Sequence, residues 1–216
     1  MIGLIYKTQP YQDTNKLLYV YSNRGKITLV ARGSQRLSSE LRMVSQYLTL
    51  IEFYDNGKNM QPLREVKLLN SYDFLKTDFF KAKHAAVMLE ALDKVRDQNL
   101  NHEAVLNELR IALLSDNLKE SSLSFLIKLI SEAGFRPNLT PKEKDVIGFN
   151  IRNSSLVYKG EPITLDLELR ETIILVKLLN LDTEKVEAMS PKDDATLRKF
   201  IKKYYDYHIN VNLKNI

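Results

Sequence analysis

The sequence contains no cysteine among its 216 residues, which excludes disulfides, thiolate nucleophiles and cysteine-ligated zinc. Histidine is scarce as well, and the three histidines lack the spacing of metal ligands. They are His84, His102 and His208. No apolar run reaches the roughly 18–20 residues of a membrane span, and the first residues lack the charged start and apolar core of a secretory signal. We therefore expect a metal-free cytoplasmic protein with no membrane segment.

Catalytic motifs are absent too: there is no glycine-rich phosphate-binding motif, nucleophile elbow or histidine–cysteine pair. The adjacent carboxylates Asp193 and Asp194 follow Ser190 and Pro191, a pattern that predicts a helix start whose dipole the carboxylates stabilise. His208 lies on the apolar face of the same helix, where a core role is expected. We predict no enzymatic activity and no cofactor.

Positive charge is concentrated in the first quarter of the chain. Residues 1–50 hold seven basic and two acidic side chains, so their net charge of +5 equals that of the whole chain. The remaining residues are therefore neutral in sum. A basic module on a neutral body is typical of proteins that bind phosphate backbones. Ordinary surface lysine and arginine on a mildly basic protein would give the same count.

The hydrophobic period of residues 1–72 is that of β-strands. A first strand is predicted over residues 3–6 and a hairpin over residues 16–32, followed by a polar loop at 33–40, a long apolar run at 43–54 and a last strand near 60–71. Five strands with one long loop after the third suit a small Greek-key barrel of the OB type. That fold commonly binds oligonucleotides.

From residue 73 onward the apolar spacing becomes helical. A helix beginning near Phe79 carries two adjoining apolar stripes, and we expect such a wide apolar surface to be largely buried. The stripes comprise Phe79, Ala82, Ala86 and Leu89, and Phe80, Val87, Ala91 and Val95. Further helices are predicted over 103–114 and 121–133, the latter ending at Gly134, the residue type expected just past a helix end.

The C-terminal third is predicted to contain a weak hairpin over residues 147–158, a helix from Asp166 and a final helix from Ser190. The fold class that follows is α+β, with a five-stranded OB-type β-barrel followed by an α-helical bundle. We place the barrel domain at residues 1–74 and the helical domain at residues 75–216.

The loop after the third predicted strand is the strongest functional signal. Arg32, Arg36 and Arg42 are spaced along it, and small residues are expected to keep it flexible enough for guanidinium groups to bind phosphates in bidentate fashion. A solvated loop with scattered charge is the alternative. The predicted DNA-binding residues are Lys16, Arg24, Lys26, Arg32, Arg36 and Arg42. Tyrosines that could stack on unpaired bases, or lie in the core, are Tyr11, Tyr19, Tyr21 and Tyr47.

Five short motifs follow one another in a fixed order: Asn15-Lys16-Leu17-Leu18, Arg24-Gly25-Lys26, Val30-Ala31-Arg32-Gly33, Gly134-Phe135-Arg136-Pro137-Asn138-Leu139, and Leu197-Arg198-Lys199-Phe200 with the tail beyond it. In this order they resemble the RecO family of bacterial DNA repair proteins. The resemblance covers essentially the whole chain. Two departures matter. Many members carry a four-cysteine zinc site where this chain has none, so we expect a degenerate zinc-less subdomain at residues 138–162. Leu37 and Glu40 also dilute the basic loop.

The zinc-less subdomain is expected to be held by apolar packing around Ile147, Phe149, Val157 and Tyr158. The basic face of the final helix could contact DNA or solvent, and the sequence leaves both readings open. That face comprises Arg198, Lys199, Lys202 and Lys203.

The resemblance implies a recombination mediator that binds single- and double-stranded DNA, anneals complementary strands and assists RecA loading at gaps together with RecR. It also implies contact with the C-terminal tail of the single-strand-binding protein, through an apolar pocket with a nearby cation in the helical domain. RecA and RecF would be indirect partners, and the protein would be cytoplasmic and associated with the nucleoid. Two alternatives stay open: a protein-interaction scaffold whose basic barrel face binds an acidic partner, and an RNA-binding barrel.

Overall fold

A computed structural model describes residues 1–96 and 99–216, which form two compact units. Unit 1 comprises Met1–Ala82 with the described part of 97–107, and unit 2 comprises Lys83–Arg96 with Glu108–Ile216. Among the described residues, none of the helices combines the length and apolar character needed to cross a bilayer. The predicted domains, 1–74 and 75–216, stay a prediction.

Nine strands and seven α-helices are described. The strands are β1 (Ile2–Tyr11), β2 (Asn15–Ser22), β3 (Gly25–Ala31), β4 (Thr49–Glu52), β5 (Met60–Pro62), β6 (Lys67–Asn70), β7 (Val146–Asn150), β8 (Ser155–Tyr158) and β9 (Leu167–Glu168). The helices are α1 (Leu41–Val44), α2 (Asp73–Lys76), α3 (Phe79–Lys94), α4 (His102–Leu114), α5 (Leu118–Ile130), α6 (Leu169–Asn180) and α7 (Pro191–Ile209). The class is α+β, as predicted, with a sheet first and helices after it.

Unit 1 is built on a six-stranded sheet in the order β5-β3-β2-β1-β4-β6. Strands β1, β2 and β3 form an antiparallel meander, β5 pairs in parallel with β3, and β6 pairs antiparallel with β4. The predicted hairpin is confirmed, with Ser22 opposite Gly25 at its turn. Alternation along β3 places Ile27, Leu29 and Ala31 in the core, because successive side chains of a strand point to opposite faces.

The sheet has six strands where five were predicted. The segment predicted as one last strand forms both β5 and β6, and Glu65 between them has a φ of 48°, which interrupts the strand. Since β5 and β6 lie at opposite edges of the sheet, residues 63–66 alone connect those edges. Their reach of about 18 Å is shorter than the roughly 24 Å across a flat six-stranded sheet, so the sheet is curved.

This curvature does not amount to a closed barrel. One backbone hydrogen bond, from the Tyr54 N–H to the Arg64 carbonyl at 3.1 Å, joins the segment after β4 to the segment between β5 and β6. Within the described residues the strand ladder itself stays open, so the predicted barrel closure is not confirmed. The predicted apolar run at 43–54 is also divided, because its first two residues belong to α1 and only Thr49–Glu52 is extended.

The beginning of α3 corrects the prediction that this helix is largely buried. Phe79 and Phe80 are 77% and 73% exposed, and the buried stripe begins only at Ala85. The helix starts in unit 1, where the two rings lie, and its buried residues belong to unit 2. The apolar spacing therefore predicted the helix correctly but not which of its turns is covered.

Unit 2 confirms the local helix signals of the sequence. Gly134 adopts a φ of 94° just past α5, the left-handed conformation that favours glycine at a helix end. At the start of α7, the Ser190 hydroxyl oxygen accepts a hydrogen bond from the Asp193 N–H, and Pro191 follows the cap. His208 of α7 hydrogen-bonds the Ile151 carbonyl through its Nε2 at 3.0 Å, consistent with a structural histidine.

The predicted hairpin near residue 150 forms a small sheet in the order β8-β7-β9. Phe149 and Val157 are buried in it, and the Asp166 carboxylate accepts hydrogen bonds from the Ile151 N–H at 2.7 Å and from Lys203 Nζ at 2.5 Å. The described residues contain no group of three or more histidines and carboxylates that could hold a metal ion. Apolar packing and this carboxylate hold the hairpin.

Candidate nucleic-acid interface

The basic loop after β3 is fixed against the turn between β1 and β2. The Gly33 N–H donates to Asn15 Oδ1 at 2.8 Å, and the Gln35 N–H donates to the Thr14 carbonyl at 3.0 Å. The Gln35 side-chain amide also donates to the Asn15 carbonyl at 2.7 Å. These bonds tie the start of the loop to the turn, and the flexibility of the loop stays a prediction.

Consecutive turns then present the loop arginines. The Arg36 N–H bonds the Gly33 carbonyl, the Ser39 N–H bonds the Arg36 carbonyl, and the Arg42 N–H bonds the Ser39 carbonyl, each within 3.1 Å. Each bond closes a turn between residues three apart. Ser34 is fully buried and donates to the Ala31 carbonyl, so its hydroxyl serves the fold instead of solvent. The turns place Arg36 and Arg42 on an ordered backbone.

The three arginines of the loop lie at the surface, and no ion pair with a described residue holds them. Arg32, Arg36 and Arg42 are exposed. Across residues 1–96 and 99–216, none of them has a carboxylate within ion-pair distance. Lys16 lies beside them, because it is opposite Ala31 in the β2–β3 register, and its Nζ donates to the Ser45 carbonyl at 3.4 Å. We call Lys16, Arg32, Arg36 and Arg42 the loop group.

Arg24, at the tip of the hairpin, is used differently. Its guanidinium binds both carboxylate oxygens of Asp55, at 2.8 and 2.7 Å, and donates to the Gly57 carbonyl at 2.7 Å. Burial of Asp55 opposes its ionisation, yet hydrogen bonds from Arg24, Gln61 and the Gly57 N–H lower its pKa below the ordinary value. Arg24 therefore connects the hairpin to the turn at residues 55–58.

The predicted DNA-binding residues thus divide into two groups. Lys26 is half-buried opposite Tyr21, and with Arg24 it forms what we call the tip group. The register runs from Lys16 at one end of the hairpin to Ser22 at the other, six residues or about 20 Å away. At one end of the hairpin the arginines form no ion pair within the described residues, and at the other an ion pair holds Arg24.

The predicted stacking tyrosines are also divided. Tyr21 is fully buried, and its hydroxyl hydrogen-bonds His102 Nδ1 at 2.9 Å, so it cannot stack on a base. The ring of Tyr19 lies 5.1 Å from Lys7 Nζ, in a cation–π arrangement. Tyr11 and Tyr47 are each more than a third exposed. Burial raises the pKa of Tyr47 to about 12, so its hydroxyl stays protonated at neutral pH.

A cleft of about 250 Å³ lies beside Arg32, where β5 pairs in parallel with β3. Its lining residues are Tyr11, Gln12, Asn15, Val30, Arg32, Met60, Gln61 and Pro62. Residues 60–62 reach this place only through the parallel pairing with β3, which no local pattern in the sequence indicates. The cleft is the part of the site that sequence reasoning missed.

Some of the cations on the basic face of α7, in unit 2, are held by other side chains of that unit. Arg198 Nε binds Asp194 at 3.1 Å, and its Nη2 lies 3.3 Å from His84 Nδ1. Lys203 pairs with Asp166. Lys199 and Lys202 are exposed. Half of the cations on this face are therefore structural.

Comparison with known proteins finds similarity to RecO proteins. Residues 1–72 match the family described as Recombination protein O N terminal. The chain is 24% identical over 230 residues to DNA repair protein RecO of Halalkalibacterium halodurans, covering 99% of this chain and 91% of that protein. It is 24% identical over 223 residues to DNA repair protein RecO of Oceanobacillus iheyensis, covering 95% and 86%.

DNA repair protein RecO of Bacillus cytotoxicus is 23% identical over 230 residues, covering 99% of this chain and 93% of that protein. The resemblance drawn from the sequence motifs is confirmed. The chain, which contains no cysteine, is similar to RecO proteins along nearly its whole length, and its first 72 residues match the model of the RecO N-terminal domain.

Proposed function

We propose that this protein binds single- and double-stranded DNA, anneals complementary strands and assists RecA loading at gaps together with RecR. Its similarity to RecO proteins supports a role in DNA repair and recombination. The observation that carries the finer proposal is the loop group, in which three exposed arginines, without carboxylate partners among the described residues, lie on an ordered loop. No covalent chemistry is required for this function.

The ordered loop makes the site suited to a phosphate backbone. Guanidinium groups bind phosphate oxygens in bidentate fashion, and each contact releases counterions, so the affinity should fall steeply with salt. Because hydrogen bonds already hold the start of the loop, little of its backbone conformational entropy should be lost when DNA binds. We propose the curved sheet of unit 1 as an OB-type scaffold for this loop.

Annealing follows from charge neutralisation. Two complementary strands repel each other through their phosphates, and cations that neutralise both backbones lower that repulsion while bases pair. We also propose that the protein binds RecR and the acidic C-terminal tail of the single-strand-binding protein directly. RecA and RecF are proposed as indirect partners. The DNA partner is the one that the geometry of the loop group supports.

Strand annealing tests the proposal. Complementary labelled oligonucleotides are mixed at low and at high salt, without nucleotide or metal, and the rate of duplex formation is followed by fluorescence. We expect fast annealing by the wild type that weakens with salt and is lost in the Arg32→Ala/Arg36→Ala variant. Lys199→Ala/Lys202→Ala removes the same charge from exposed positions of α7 and should anneal nearly as fast as the wild type.

Absence of both annealing and DNA binding at low salt would contradict the proposal and favour the scaffold reading, in which the loop group binds an acidic protein. Equal loss in both double variants would show that total charge matters and not the loop. Preference for RNA over DNA of the same sequence, measured by direct competition, would favour an RNA-binding role.

A further inference from the structure

The cleft beside Arg32 has an apolar lining that suits a flat ring. It opens on the outer face of the sheet, since residues 26, 28 and 30 of β3 are partly exposed while their neighbours are buried. Val30 and Pro62 are opposite each other in the β3–β5 register, and Met60 is 52% exposed beside them. Tyr11, at the end of β1, is 36% exposed and contributes an aromatic ring.

Several polar side chains of the cleft already form hydrogen bonds within the protein. Asn15 Oδ1 accepts the Gly33 N–H, and Gln12 Oε1 accepts from Asn15 Nδ2 at 2.9 Å. Gln61 is likewise engaged, through its amide nitrogen to Asp55 and its oxygen to the Asn56 N–H.

The donors left over point to the chemistry of the ligand. The Gln12 side-chain nitrogen and the Arg32 guanidinium have no hydrogen-bond partner in the part of the chain that the structure describes. A ligand of this cleft must therefore supply acceptors for them, together with an apolar ring face. A nucleotide has both, in its phosphate and base carbonyl oxygens and in the face of its base.

The size of the cleft limits the ligand to one unit. Pockets that enclose a whole small-molecule ligand have volumes of roughly 300–1,000 Å³, whereas this cleft holds about 250 Å³. A single base with its sugar suits that space better than two stacked bases. A base in a duplex reaches such a site only by leaving the stack, which costs free energy.

We propose that this cleft holds one unpaired nucleotide of a DNA strand. The base lies against Tyr11 and Met60, a base carbonyl accepts from the Gln12 amide, and the phosphate binds Arg32. This inference rests on the proposed DNA-binding function and adds a base contact to the phosphate contacts of the loop group. It gives the protein a preference for single strands over duplex that charge alone does not supply.

The test compares a thymidine oligonucleotide with an abasic oligonucleotide of the same length, which keeps the phosphates and lacks the bases. Fluorescence anisotropy gives both affinities. Tyr11→Ala should weaken binding of the thymidine strand about tenfold, the range of one lost base–aromatic stack, and leave binding of the abasic strand unchanged. Tyr11→Phe keeps the ring and should bind both strands as the wild type does.

Tyr54→Ala is the matched control, because Tyr54 is 50% exposed in the same unit and does not line the cleft. Its affinities should equal those of the wild type. Unchanged thymidine binding by Tyr11→Ala would overturn the inference, as would an equal loss on both strands. In either case wild-type binding would leave the proposed function standing, whereas a wild type that binds no DNA would overturn both.

Discussion

The two ends of the β2–β3 hairpin carry similar charge and use it differently. At the tip, Arg24 is held by both oxygens of Asp55 and by the Gly57 carbonyl. At the other end, Arg32 and Arg36 have no carboxylate within ion-pair distance among the described residues. Whether a cation is available for a ligand therefore depends on which carboxylate the tertiary fold brings to it, and not on its place in the sequence.

The largest expected effect is a loss of stability when a methyl group is added at the tip of the hairpin, compared with the same addition at the loop end. Gly25 has a φ of 84°, and an added Cβ would lie 2.9 Å from two atoms of the His102 ring, which Tyr21 holds by a hydrogen bond. Gly25→Ala should cost about 2–3 kcal/mol of unfolding free energy, from backbone strain and overpacking together.

The matched change at the loop end is Gly33→Ala, whose φ is 66° and whose Cβ would meet no atom closer than Arg36 Cδ at 3.9 Å. It should cost only about 1 kcal/mol, from backbone strain alone. Urea unfolding of the two variants checks the difference. Equal losses would mean that the His102 contact does not constrain the tip.

A smaller effect is expected when one charge is removed from each end. Arg24→Gln should lower the unfolding free energy by about 1–2 kcal/mol, because Asp55 and the Gly57 carbonyl lose their charged partner. Arg36→Gln should leave stability within about 0.5 kcal/mol, because the side chain is exposed and forms no ion pair with any described residue.

DNA affinity should show the opposite order for the same two variants, with a severalfold loss for Arg36→Gln and little change for Arg24→Gln. Urea unfolding and anisotropy on the same protein samples measure both quantities. A pair of variants that lose affinity equally would remove the distinction between the ends.

The smallest expected effect is a pH dependence confined to the tip. The pKa of Asp55 is lowered in the folded protein, so its ionised form stabilises the fold above the ordinary carboxyl pKa of about 4. That contribution is lost as the pH falls through the lowered pKa. Wild type should therefore exceed Asp55→Asn in stability at about pH 6, by less than about 1 kcal/mol beyond the neutral hydrogen bonds.

The stability difference between wild type and Asp55→Asn should shrink as the pH falls below about 4. Urea unfolding of the two proteins across this range measures it. A difference that stays constant with pH would show that the Asp55 carboxylate gains nothing from Arg24.

Elements with local signals could be predicted from the sequence. The hairpin of β2 and β3, the cap of α7 at Ser190 and the helix stop at Gly134, in the turn that follows α5, each depend on residues a few positions apart. Turn chemistry and capping act over that range, so the pattern and the fold agree.

What the sequence could not predict depends on distant pairings. Asp55 reaches Arg24 across 31 positions, and His102 reaches Tyr21 across 81. The cleft needs the parallel pairing of β5 with β3, and the single predicted last strand divides at Glu65. The sequence predicted the three arginines of the loop group as candidates. Tertiary contacts, however, decide which of the predicted cations form ion pairs.

The salt dependence of single-strand affinity measures directly whether the loop cations bind phosphates and the tip cations do not. Anisotropy titrations over a range of salt give the slope of log affinity against log salt for the wild type and two variants that each lose two charges. The loop variant Arg32→Gln/Arg36→Gln should have a slope shallower by about 1.4, at about 0.7 per lost phosphate contact on single strands. The tip variant Arg24→Gln/Lys26→Gln should keep the wild-type slope. A loop variant with the wild-type slope, or a tip variant with the same reduction, would contradict the account.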